Sequence, residues 1–490
     1  MGQGVSDAKN ISLKALVDKG RNRVIFVEAD NDFIDVLFSF LTLPMGKIVR
    51  LARDHSTPLE IGCMNKLYQS IEKLDVQVFR SNACRDMLLL PHSVANCHCK
   101  NLKLKITDDA EPTRFLCCGY SSHSSWLSYY ATATCPSCVL PCYRPHAMNS
   151  QVNLSVDDSQ VGGVFVKEGA RFMITDDLQV IPPLSAANIS LFTKLGATNS
   201  NTTEELTFNI GVEQVLNLLV SSFVSKTPFT ETLLKPNPVP KLGGVNFSQG
   251  KCIESQVSGA SINEEKENIS VKLVVSKSKN VVCYAEVGED FVNLIFSFLT
   301  LPLGFILKQM LDSPWKGCID QLCKGVLDFD VKFFKSNYHK ELLCNPKLIP
   351  GFSYENNLLA IEEAEYYMFF DRKLTSDRSI IPSNLSSQAI KVKFLDPKSH
   401  GDKDTSAQGF LKEPAIFIVA DNLDIRRVSP IFQLSILNDL KVHFTDIEDR
   451  TVHVGKNEAL SLLVASVVSD SVLTNAFLRK PQEPSIKREQ

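Results

Sequence analysis

No apolar run in this chain approaches the roughly 20 residues that a membrane-spanning helix needs. The longest block, Phe33 to Leu43, is about half that length and reads as a helix of a protein core. An excess of one charge is missing as well: Lys and Arg number 52 against 55 for Asp and Glu, a net charge of −3. Nothing global therefore draws the chain to nucleic acid or anionic lipid, and such a partner would have to be met by a local patch. The opening MGQGVSDAKN has no apolar signal segment, so a reducing compartment, cytoplasmic or nuclear, is expected. Met1-Gly2 with Ser6 satisfies the minimal N-myristoylation pattern at Gly2. No polybasic run or adjacent Cys supplies the second signal that stable anchoring needs, so membrane attachment is not expected. Walker-type loops, GxGxxG, GxSxG and HExxH are also lacking. The common signatures of nucleotide binding, serine hydrolysis and zinc proteolysis are thereby absent.

What is present is a repeat. VIFVEADNDFIDVLFSFLTLPMG, from Val24 to Gly46, recurs 258 residues later as VCYAEVGEDFVNLIFSFLTLPLG, from Val282 to Gly304. Each copy is an apolar strand ending in an acid, a polar break, an apolar helix and a Pro-containing terminator. Hairpins are expected at Ser12–Val17 with Arg23–Glu28 and at Val271–Ser276 with Val281–Glu286. The breaks at Asp30-Asn31-Asp32 and Gly288-Glu289-Asp290 are expected to cap the helices that follow. Further helices are expected at Ile61–Leu74 and Cys318–Leu327. FVKEGARFMITDDLQV from Phe165 matches FLKEPAIFIVADNLDI from Phe410, and both read as hairpins. Helices at Ser185–Leu195 and Ser429–Leu440, strands at Leu206–Ile210 and Thr451–Val454, and helices at 215–225 and 459–469 complete the two copies. With 490 residues, a prior of about 100 to 200 residues per domain suggests two to four domains.

The expected fold is α+β: two homologous halves built from β-hairpin-plus-helix units, with a Cys-rich insertion in the first. The halves are 1–235, with the insertion at 92–146, and 269–482. A Pro-, Gly- and Ser-containing linker at 236–268 separates them, and 483–490 is a polar tail.

The insertion holds the chemistry. Cys97-His98-Cys99, Cys117-Cys118, Cys135-Pro136-Ser137-Cys138 and Cys142 cluster in it, where disulfides are disfavoured. Cys97, Cys99, Cys135 and Cys138 could present four thiolates to a structural zinc ion, with Cys117, Cys118 and Cys142 as alternates. His98 and His123 are alternative ligands that read more simply as solvated loop residues. The second copy has no CPSC, and Phe369-Phe370 stand about where Cys117-Cys118 do, so the scaffold does not depend on these thiols. Plain burial is the competing reading for any of them, as it is for Cys63 and Cys318 on helical apolar faces. Glu28 with Glu286, and Asp32 with Asp290, are matched acids that could act as a pair, although caps are the commoner use of such positions. Lys100, Lys103, Lys105, Arg114 and Arg144 are too few, and too offset by acids, for phosphate binding. Trp126, Tyr129 and Tyr130 fit apolar packing better than base stacking.

Together, FVEADNDFIDVLFSFLTLPMGKIVRL, the CPSC of the insertion, FMITDDLQV and VLNLLVSSFVSKTP resemble the plant domain-of-unknown-function 674 family over most of the chain, in two tandem copies. That resemblance implies a plant origin and a two-copy layout, and no activity, substrate or site residue. The reading that results is a non-catalytic protein that binds another protein and carries structural zinc. The alternatives are an enzyme using a cleft between the halves, with Glu28 and Glu286 as acids, or nucleic-acid binding through the insertion.

Overall fold

The computed structural model describes residues 10–54, 60–106, 163–169, 171–182, 202–235, 269–311, 317–354, 357–369, 373–381, 389–398 and 408–478, with short pieces at 116–117, 126–130, 133, 135, 144–145, 383–384 and 386. Strands β1 (Ile11–Asp18) and β2 (Arg23–Ala29) form the first hairpin. Asp18 Oδ1 closes its turn by accepting the N–H groups of Gly20 and Arg21 at 2.9 and 3.1 Å. Along β1, Leu13, Ala15 and Val17 are buried while Ser12 and Lys14 are exposed, as a strand with one wet face requires. Helix α1 (Asn31–Ser39) begins where Asp30 accepts the Phe33 N–H at 3.3 Å, the expected cap. A 3-10 turn continues it to Thr42, and Pro44 separates it from α2 (Met45–Asp54). Then come α3 (Met64–Lys73) and α4 (Asn82–Leu89), followed by β3 (Phe172–Thr175), β4 (Val180–Ile181), β5 (Thr203–Ile210) and α5 (Val212–Ser222).

The second copy runs β6 (Ile269–Ser276), β7 (Val281–Gly288), α6 (Glu289–Ser297), α7 (Leu303–Gln309), α8 (Ile319–Asp328) and α9 (Asn337–Cys344). It closes with β8 (Ile416–Ala420), β9 (Ile425–Arg427), α10 (Pro430–Asp439), β10 (Ile447–Val454), α11 (Lys456–Val468) and α12 (Val472–Phe477). The fold is α+β. Two antiparallel five-stranded sheets have the same order, β4-β3-β2-β1-β5 and β9-β8-β7-β6-β10. Two details depart from the sequence reading. The α6 cap is not made by an acid: Gly288 stands at the N-cap, and Glu289 accepts the Ala415 N–H at 3.1 Å instead. Helices α2 and α4 and their second-copy partners α7 and α9 had no clear boundary signal. The helix expected at Ser185–Leu195 and the linker 236–268 lie outside the described residues.

The two copies meet by reciprocal contacts, each given and received in turn. Met45 N–H donates to Leu301 O at 2.9 Å, and Leu303 N–H to Leu43 O at 2.8 Å. Cys63 N–H donates to Ser466 O, and Cys318 N–H to Ser222 O, both at 2.8 Å. Phe38 stacks on Phe334 with ring centres 6.2 Å apart, and Phe296 on Phe79 at 6.4 Å. This is the self-complementary pattern of a two-fold homodimer interface, held within one chain. Glycine is required where backbones cross: a Cβ on Gly62 would lie 2.4 Å from Ser466 O, and one on Gly317 only 2.1 Å from Ser222 O. Across this seam one continuous buried apolar cluster extends from Ile11 to Leu473. A small second cluster, around Val274, Tyr284, Ile418 and Phe432, lies between the second sheet and α10.

The insertion is not self-contained. Strands Leu116–Cys117, Trp126–Ser128 and Arg144–Pro145 form a small sheet that Lys393–Phe394 of the second copy joins in parallel with Trp126–Ser128. Leu395 N–H extends that junction to Leu127 O at 2.7 Å.

Candidate functional site

Asn96–Cys99 is a single helical turn packed against α9. His98 is buried, with its ring 5.3 Å from that of His339 and 5.8 Å from that of Tyr338. Beside it the Tyr129 hydroxyl donates to the Tyr366 hydroxyl at 3.0 Å, and the Tyr129 ring stacks on Phe394 at 5.5 Å. The turn sends its two cysteines different ways, as positions two apart on a helix must go. Cys97 is exposed, whereas half-buried Cys99 approaches the Thr42 hydroxyl at 3.9 Å. Although the residue is open to solvent, protein crowding around the Cys97 sulfur raises its thiol. The charge and hydrogen bond of His98, with help from Lys100, outweigh this and hold it below its ordinary value. Burial pulls His98 down, but Cys97 and then Asp377 carry it upward on balance. Burial, followed by the charges of His98 and Lys335, pushes His339 down to about 3, so that ring is neutral at physiological pH. Burial pushes Cys99 up to about 12.

Of the other expected ligands two are described. Cys135 is buried. Cys117 lies in the small sheet, with its backbone opposite Arg144 on one side and Leu127 on the other. Cys118, Cys138, Cys142 and His123 lie outside the described residues. Among the described residues no three His, Cys, Asp or Glu side chains are grouped so as to hold a metal. Cys63 and Cys318 are buried seam residues whose thiols burial pushes far up, as expected for core cysteines.

At neither helix start is the cap hydrogen bond made by a matched acid: Asp30 caps α1, and α6 has no side-chain cap. Glu28, on β2, accepts from exposed Arg171 at 3.3 Å. Asp32 pairs with Lys103 at 3.1 Å. Glu286, on β7, lies across the ladders from Ile418 and Lys272, and Lys272 pairs instead with Asp449 at 3.0 Å. Arg171 and Ile416 hold the same place in the two copies, so the second sheet puts an isoleucine where the first has the partner of Glu28. That isoleucine is 56% exposed.

Sequence reasoning missed the buried acids. Asp35, inside α1, accepts the N–H groups of Phe165 at 2.8 Å and Val166 at 3.0 Å, together with that of Val164. Burial pushes its carboxyl up to about 6, against the pull of these N–H groups and of Lys335. Asp421 accepts the Thr474 N–H and hydroxyl at 2.8 and 2.6 Å, and burial likewise pushes it up to about 6. Asp176 holds Thr230 in the same manner, at 2.9 and 2.7 Å. The available signal was an acid inside an otherwise apolar helix, FIDVLFSF. Such a residue must have local donors.

Residues 7–457 match the family described as Protein of unknown function (DUF674). The chain belongs to that family. No curated protein and no solved structure matches it. Membership of the DUF674 family therefore brings no activity, ligand or partner to the residues above. Among the described residues no helix is long and apolar enough to cross a membrane.

Proposed function

We propose that this is a non-catalytic protein-binding protein, built as one rigid frame in which the cysteine-rich segment clamps the two copies together. One observation carries the reading. Of the ten large hydrophobic side chains exposed among the described residues, five lie between Ile416 and Phe444: Ile416, Val428, Ile431, Leu434 and Phe444. A chain with a continuous core that still leaves apolar groups concentrated on one region has a surface suited to another protein. The test is quantitative capture from a cell extract with the wild-type protein and an Ile431→Asp, Leu434→Asp variant. Loss of a captured species in the variant supports the proposal. Equal recovery with both proteins contradicts it.

Structural zinc belongs to the same reading and has its own support. The backbone pairing of Cys117 with Arg144 brackets the stretch of sequence that carries Cys118, Cys135, Cys138 and Cys142. That favours these thiols over Cys97 and Cys99, which diverge. A bound zinc ion would cross-link this small segment. Metal analysis of the Cys135→Ser, Cys138→Ser variant should show the zinc lost, while Cys97→Ser retains it. Absence of zinc from the wild-type protein would remove this part of the reading.

A further inference from the structure

Helix α10 buries Phe432, Ile436 and Leu437 against the second sheet and turns Ile431 and Leu434 outward. Ile431 is 80% exposed, the largest value among the described hydrophobic residues. Val428, just before the helix, donates its N–H to Ile416 O at 3.3 Å, which joins the helix to the exposed end of β8. Next to Ile416 on the ladder is Gly288, where an added Cβ would meet nothing within 4 Å. Two residues back along β7, on the same face because strand side chains alternate, is Glu286. Among the described residues the Glu286 side chain makes no hydrogen bond or close ion pair: the cross-strand Lys272 is in contact with Asp449, and its charge reaches Glu286 only from a distance. The nearby Arg426 is taken by Asp424 at 2.7 Å. The first copy shows what is missing, because there Arg171 answers Glu28.

Resting on the protein-binding reading, we infer that this patch of Ile416, Val428, Ile431 and Leu434, with Glu286 at its edge, receives a basic amphipathic segment of a partner protein. Its apolar side chains would cover the isoleucines, and a Lys or Arg would supply Glu286 with the cation that Arg171 gives Glu28. An acidic segment would bring like charge against Glu286, and a purely apolar one would leave that carboxylate desolvated without a counter-charge.

The test uses the full chain and two synthetic helical peptides with Leu at positions i, i+3, i+4 and i+7. One carries Lys at the remaining positions and the other Glu, and binding is read by fluorescence anisotropy. The Lys peptide should bind at least about tenfold more tightly than the Glu peptide. Ile431→Asp should weaken the Lys peptide by about tenfold or more through loss of an apolar anchor. Ile416→Arg copies the first sheet, and it should weaken binding by a similar factor because an apolar anchor becomes a cation and Glu286 then has an internal partner. Glu286→Gln should give a smaller loss and reduce the salt dependence. Equal binding of the two peptides, or full binding by Ile416→Arg, would overturn the proposal. So would light scattering that finds a dimer which Ile431→Asp makes monomeric, since a second copy of the chain would then cover the patch. If extract capture depends on Ile431 but the peptides bind alike, protein binding survives and only the basic character of the partner falls.

Discussion

Asp35 and Asn293 stand at the same place in the two copies and hold the same backbone with different chemistry. Asp35 accepts three N–H groups, from Val164, Phe165 and Val166. Asn293 accepts two, from Phe410 at 2.9 Å and Leu411 at 3.2 Å. In both copies the held segment is the one that reaches across the seam: Lys335 N–H donates to Phe165 O at 2.9 Å, and Arg80 N–H to Phe410 O at 3.0 Å. The copies thus agree where backbone must be tied to the opposite copy. They diverge in the charge of the tie, and at the surface in Arg171 against Ile416. The common geometry explains what holds the molecule together, whatever the chemistry of the side chain that makes the tie.

The largest effect should come from the seam glycines. Gly317→Ala drives a Cβ into backbone of the other copy, and so does Gly62→Ala, at a residue whose φ is +50°. Each should cost about 3 kcal/mol or more in denaturant unfolding. If only one of the two is harmful, the reciprocal description fails.

Next is the acid itself. Asp35→Ala orphans three buried N–H groups and should cost about 3 kcal/mol, whereas Asp35→Asn, which the second copy already uses, should change stability near neutral pH by only about 1 kcal/mol. The pH dependence separates the two chemistries. Asp35 and Asp421 are pushed up from 3.8 to about 6 in the folded chain, so the folded state holds more protons than the unfolded one between those values. Their contribution is full below about pH 4 and is lost as pH rises through about 6, by roughly 3 kcal/mol for each. Asp35→Asn should remove about half of that slope in unfolding measured from pH 4 to 7. An unchanged slope would mean that Asp35 is not buried as described. The smallest effect is expected at the surface: Arg171→Ala breaks an exposed pair with Glu28 and should shift stability by less than about 0.5 kcal/mol.

Much of the frame was legible because the repeat could be read against itself. The apolar hairpins, the helix that begins after Asp30 and the Pro breaks all follow local patterning. The seam was not legible. In the sequence Gly62 falls inside the helix expected at Ile61–Leu74 and Gly317 just before the one expected at Cys318, and their need for close backbone approach exists only once Ser466 and Ser222 lie against them. Length suggested separate domains, but nothing in a linear pattern says that the apolar face of α1 meets Phe334 rather than its own copy. Within the insertion, His98 reads as a solvated loop residue in the sequence and is instead buried against α9, because the rings of Tyr338 and His339 that cover it come from the other copy. The patch at Ile416 was hidden because a strand-end isoleucine reads as core until its exposure is known.

The central claim is that the two copies are one cooperative unit, and a single tryptophan in each copy makes it measurable. Phe208→Trp on β5 and Val452→Trp on β10 stand at equivalent half-buried positions, and with Trp126 and Trp315 replaced by Phe each variant carries one reporter. Urea unfolding of the two variants, followed by fluorescence and by circular dichroism, should give coincident midpoints and equal m-values. Two resolved transitions, with one copy unfolding while the other remains folded, would contradict the shared core.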